Sequence, residues 1–168
     1  MAQPPPRNLP VPAPVPEFLA PRVQLICSTV HHGNPGQALD LGRALLDELT
    51  NSHGPLHPYT LHALELAALC AHLDGQSAFA AETSVRAATG WARTLPPGHR
   101  HTLRHASSSL AYWLAVSDAQ DAVRTGKLLL PLLLSVFGPS HRYSRLTHHR
   151  LRTLTGPAPG TATGAKRP

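Results

Sequence analysis

Residues 54–76 read GPLHPYTLHALELAALCAHLDGQ, and this stretch decides the fold. Pro58 stands where a helix tolerates proline, in the first turn, whose N–H has no partner anyway. Beyond it Leu61, Leu64, Ala68 and Ala71 recur at helical spacing, and Leu66 and Leu69 widen the apolar stripe. Asp74-Gly75 closes the pattern, because glycine accepts the left-handed conformation that ends many helices. The spacing predicts a helix over 60–73. His57 and Thr60 both qualify to begin it, and the threonine hydroxyl has the better capping chemistry.

The same landmarks return along the chain. His57, His99 and His141 are each 42 residues apart. Pro55, Pro97 and Pro139 precede them by two, and Gly54, Pro96 and Gly138 by three. Thr60, Thr102 and Ser144 follow them by three. Gly33, Gly75 and Ser117 form a second series, and Ala38, Ala80 and Ala122 a third. A period of this length indicates a stack of similar units, each covering the apolar side of the next.

Helical spacing between these landmarks predicts segments over 22–32, 35–50, 60–73, 77–94, 102–116, 118–137 and 144–153. That is three hairpins and a terminal helix. No stretch alternates apolar and polar residues as a strand would. Ala38, Ala80 and Ala122 allow close helix approach. Leu49, Trp91 and Leu133 fill the next layer, as do Leu46, Ala88 and Leu130. Phe79, Tyr112 and Trp113 are the expected aromatic anchors, and Pro131 is expected to kink or split the last long helix near Leu128.

Gly54, His57, Pro58, Thr60, Leu61, Gly75 and Ala80 resemble the 42-residue tetratricopeptide-type repeat of kinesin light chains and bacterial multi-domain regulators. His99, Thr102, Leu103 and Ala122 continue the resemblance in a second unit, with Arg100 and Ser117 departing from it. Gly138, His141 and Ser144 continue it in a third, with Arg145 where leucine is usual. The resemblance implies an all-α, right-handed α-solenoid whose concave face binds proteins, and no enzyme.

The flanks have another character. Eight prolines fall within the first 21 residues, too many for a helix or a central strand. Residues 155–168 are poor in large apolar side chains. The expected organisation is a disordered leader over 1–21, a repeat domain over 22–154 and a disordered basic tail over 155–168. The apolar run around 128–136 is far shorter than the roughly 20 residues of a membrane span. No secretory leader is read at the N-terminus. Cys27 and Cys70 sit among apolar residues as packing thiols, and a cytoplasmic setting is expected.

No catalytic constellation or cofactor is expected. Ser107, Ser108 and Ser109 fall inside a helix, not at a strained turn, and no phosphate-cradling glycine loop occurs. Twelve histidines raise the question of a metal. His53 and His57 are four apart, as are His101 and His105, and such a pair binds a metal only where a third ligand converges. His57 and His99 are already explained by the repeat, so the sequence reading assigns no metal ligand. It assigns a protein or peptide partner, with His62, Glu65, His72, Arg104, His105 and Ser108 as contact residues on the first helices of the hairpins.

Charge is uneven. Of 15 basic and 9 acidic residues, every acidic one lies at or before Asp121, and eight basic ones follow it. Arg142, Arg145, His148, His149 and Arg152 gather on the last helix as a basic patch. Nucleic acid is therefore a secondary candidate partner, bound through phosphate without base reading.

Overall fold

The computed structural model describes residues 16–156. Most of the proline-rich leader and nearly all of the basic tail lie outside the described residues. Within them are seven helices and no strand: α1 (Ala20–His31), α2 (Pro35–His53), α3 (Pro58–Leu73), α4 (Ser77–Thr94), α5 (Arg100–Leu114), α6 (Ala119–Phe137) and α7 (Arg142–Thr155). The starts of α3, α5 and α7 are 42 residues apart, and so are those of α2, α4 and α6. Each helix packs on the next, α4 also packs on α6, and α5 touches α7. This is the all-α stack of adjacent pairs that the repeat predicts.

A helix's place in the stack explains its surface. α3 lies between α2 and α4 and is apolar nearly all round, burying Leu61, Ala63, Leu64, Ala67, Ala68, Cys70 and Ala71. α7 ends the stack and buries only the stripe Ser144, Thr147 and Leu151. The anticipated small positions Ala38, Ala80 and Ala122 are all buried, as are Leu49, Trp91 and Leu133. Each large buried side chain contributes roughly 1.5–3 kcal/mol by leaving water. Closer still is the approach at Gly90, where a Cβ would come within 2.3 Å of Leu61 Cδ2.

The helix starts correct the capping expectation. Histidine, not threonine, is the N-cap: His57 Nδ1 accepts from the Tyr59 amide at 3.3 Å, His99 from His101 at 3.2 Å and His141 from Tyr143 at 3.3 Å. These helices thus begin two residues earlier than the apolar pattern suggests. The hydroxyls tie the turn instead. Thr60 donates to the Gly54 carbonyl at 2.8 Å, and Ser144 makes the same bond to Gly138. The middle turn differs, because Pro96 cannot take the positive φ seen at Gly54 and Gly138, and Gly98 takes it instead. Thr102 Oγ1 is consequently left without a partner.

α1 and α6 also differ from the sequence pattern. α1 starts at Ala20, with Pro21 harmlessly in its first turn. α6 runs unbroken through Pro131. Both Pro131 and Lys127, four residues earlier, are exposed, so the carbonyl that proline leaves unpaired faces water.

Candidate functional site

The first helices of the hairpins, α3 and α5, present neighbouring faces, and α1 closes one side. Between them lies a groove of about 370 Å³. Val23, Leu45, Leu49, Tyr59, Leu66, Leu69 and Tyr112 supply apolar wall, and His62, Glu65, Arg104, His105 and Ser108 supply polar groups. Five of the six contact residues named from the sequence therefore share one groove. The sixth, His72, packs its ring 4.8 Å from that of Tyr112 and does not line the groove.

Glu65 is the centre of this groove. One helix turn brings it to His62, whose Nδ1 lies 3.1 Å from Oε2. From α5, His101 Nε2 and His105 Nε2 reach Oε1 at 3.1 and 3.0 Å. The indole of Trp91, buried on α4, donates to the same Oε1. Its ring walls the cluster, 5.1 Å from His62 and 4.6 Å from His101. His62 Nε2 is buried without a hydrogen-bond partner. The sequence reading picked out Glu65, His62 and His105 separately; their convergence with His101 and Trp91 depends on how the hairpins stack.

Protonation follows from this packing. Burial works to raise Glu65, but the His62 hydrogen bond, the charges of His105 and His62, and the Trp91 bond outweigh it and hold the carboxyl below its ordinary value. Burial pushes His105 down to about 4, against the attraction of Glu65. Burial also lowers His101, again opposed by Glu65. At neutral pH the carboxylate is the ionised member and these two imidazoles are neutral. In the core, burial lifts the Cys70 thiol to about 11, consistent with packing and not with nucleophilic use.

The five basic residues of the expected patch lie along α7. Arg142, Arg145, His148, His149 and Arg152 are all exposed, and Arg142 lies over the Tyr143 ring at 4.9 Å. Arg150 is different. It turns inward, donates to the carbonyls of Trp113 at 3.2 Å and Val116 at 2.7 Å, and stacks on the Trp113 ring. Among the described residues no helix is long and apolar enough to cross a membrane.

No family model and no curated protein matches the sequence. The fold is nonetheless similar to that of a Podosopora anserina protein described as a putative kinesin light chain with nearly identical TPR-like repeats. One crystal structure of those repeats gives a TM-score of 0.56 at 18% identity, covering 82% of this chain and 65% of that one. A second gives 0.56 at 18%, covering 84% and 67%. This chain thus spans about two thirds of the length of the structures it matches, and the likeness shows that its fold is a TPR-like stack of helical hairpins.

Proposed function

We propose that the protein is a non-catalytic interaction module, whose groove between α1, α3 and α5 takes a peptide segment of a partner protein. The observation that carries this reading is the composition of the groove. Tyr59, Leu66, Leu69 and Tyr112 offer pockets for apolar anchors, and Arg104, His105 and Ser108 offer polar groups that fix register. Leu69 is 43% exposed, a large apolar side chain left uncovered in a concave place. The resemblance to repeats of bacterial multi-domain regulators favours a regulatory role, and two free cysteines suit a reducing, cytoplasmic setting. Peptides selected from a displayed library are to be titrated calorimetrically into the wild type, Leu69→Glu and Arg104→Glu. Affinity is expected to fall roughly tenfold or more in both variants, the loss of about one anchor. Peptides that bind all three proteins equally would refute the assignment.

A second reading places nucleic acid on α7, favoured by its five exposed basic side chains and by the absence of acidic residues beyond Asp121. Its test is the salt dependence of binding to a random duplex. Affinity should fall steeply with added salt and lose most of its slope in Arg145→Glu/Arg152→Glu.

A further inference from the structure

We propose that His62, Glu65 and His101 bind a zinc-class divalent cation on the wall of the groove, with His105 as the fourth donor. The first three residues offer ligand atoms that all lie within 4.8 Å of one another. A tetrahedral zinc with bonds near 2.0–2.1 Å sets its ligand atoms roughly 3.3 Å apart along each edge. The imidazole–carboxylate separations, 3.1 Å from His62 to Oε2 and 3.1 and 3.0 Å from His101 and His105 to Oε1, are each near that edge length. Closing around an ion therefore takes rotation of the His62, Glu65 and His101 side chains, and a larger one of His105, which lies outside that mutual 4.8 Å set.

The donor chemistry agrees. Three imidazoles and one carboxylate form a borderline set that suits zinc and its neighbours and not calcium or magnesium, which prefer oxygen alone. The residues stand on α3 and α5, as pairs three and four apart, and both helices pack on α4, which holds them in register. Trp91 supplies the outer support a ligating carboxylate needs, a fixed N–H donor on Oε1. His62 presents Nδ1 to Glu65, and its other ring nitrogen, Nε2, is buried without a hydrogen-bond partner. The cluster is also crowded, with His101 and Trp91 hydrogen-bonded to Oε1 of Glu65 and His105 Nε2 3.0 Å from the same oxygen. Among the described residues, no other three His, Cys, Asp or Glu side chains converge in this way.

The test uses the full chain, made without a histidine tag and stripped with chelator. It is titrated with Zn²⁺ alone by calorimetry and with Co²⁺ alone by visible spectroscopy. One saturable site per chain, micromolar or tighter, and the intense visible bands of tetrahedral cobalt are expected. Glu65→Gln and His101→Gln should each weaken binding roughly tenfold or more, while His148→Gln/His149→Gln leaves it unchanged. Zn²⁺ should also raise the Tm of the wild type and not that of Glu65→Gln. Absence of saturable binding, or equal affinity in the wild type and Glu65→Gln/His101→Gln, would overturn the site. Circular dichroism is to establish that each variant is folded; should the double variant not fold, His62→Gln and His105→Gln carry the same two outcomes.

Discussion

Ser84 Oγ lies 2.8 Å from Ser109 Oγ in the buried contact between α4 and α5. The two positions recur at 42-residue intervals. Gly42 sits against Ala67 between α2 and α3, and Gly126 against Leu151 between α6 and α7. One place in the stack is thus kept small three times and filled differently each time, and its tolerance should differ accordingly. A Cβ on Gly42 would rest 3.6 Å from Ala67 Cα, an ordinary contact, and Gly42→Ala should stabilise by about 0.5–1 kcal/mol through helix propensity. A Cβ on Gly126 would come 2.8 Å from both Leu151 Cδ2 and Trp113 Cζ2. The indole is fully buried, so Gly126→Ala should destabilise by about 1–2 kcal/mol despite the same propensity gain. Urea denaturation of both variants checks the opposite signs.

The three capping histidines do the same work in the same geometry. Replacing His141 by Ala removes the acceptor for the Tyr143 amide and should lower stability by about 1 kcal/mol, whereas His141→Asn should restore most of it. Loss on Ala without rescue by Asn would show that packing of the imidazole on Phe137, stacked 4.7 Å away, matters more than the cap. Thermal melts of the two variants separate these contributions.

The repeat made helix order and turn positions legible, because capping and turn chemistry are local and recur with the period. Register between neighbouring first helices was not legible. Glu65 meets His101 and His105, which are the period equivalents of Tyr59 and Ala63. The same offset brings Ser107 to Tyr143 and sets Val23 in the groove with Tyr59 and Ala63. Residue i on one first helix therefore faces i+36 and i+40 on the next, a shift fixed by how the hairpins tilt as they stack. Had that offset been known, the sequence would have shown four metal-competent side chains converging. Without it, His101 read as an isolated pair with His105, and Trp91 as plain core. Arg150 was likewise hidden, since its inward turn depends on the open carbonyls at the end of α5.

Stability should fall in acid because of His105. Its folded value of about 4 lies below the ordinary 6.5, so between these pH values the unfolded chain takes a proton that the folded chain refuses. The contribution is complete above pH 6.5 and is lost as pH falls through about 4. Glu65, His101, His62 and Arg104 face the ring; the three cationic or basic neighbours oppose its protonation, and Glu65 assists it. Allowing for partial exposure, the loss should be about 2 kcal/mol. Metal-free protein melted from pH 7 to pH 4 should show it, and His105→Gln should flatten that part of the profile. An unchanged profile in the variant would assign the acid sensitivity to other groups.

Arg150 holds the last helix to the stack. Its guanidinium caps two carbonyls at the C-terminal end of α5 and lies 4.5 Å from the centre of the Trp113 ring. The planar fork makes both bonds at once while stacking, and a lysine ammonium cannot reproduce that combination. Arg150→Lys should therefore lose most of what Arg150→Ala loses, about 1–2 kcal/mol. Arg145→Ala, an exposed neighbour on the same helix, should change stability by less than about 0.5 kcal/mol. Hydrogen exchange locates the effect: the amides of α7 should lose protection first, because α7 is covered on one side only, while those of α3 keep theirs. Equal loss of protection in α3 and α7 would mean that the stack opens as one unit and that Arg150 acts on the whole fold.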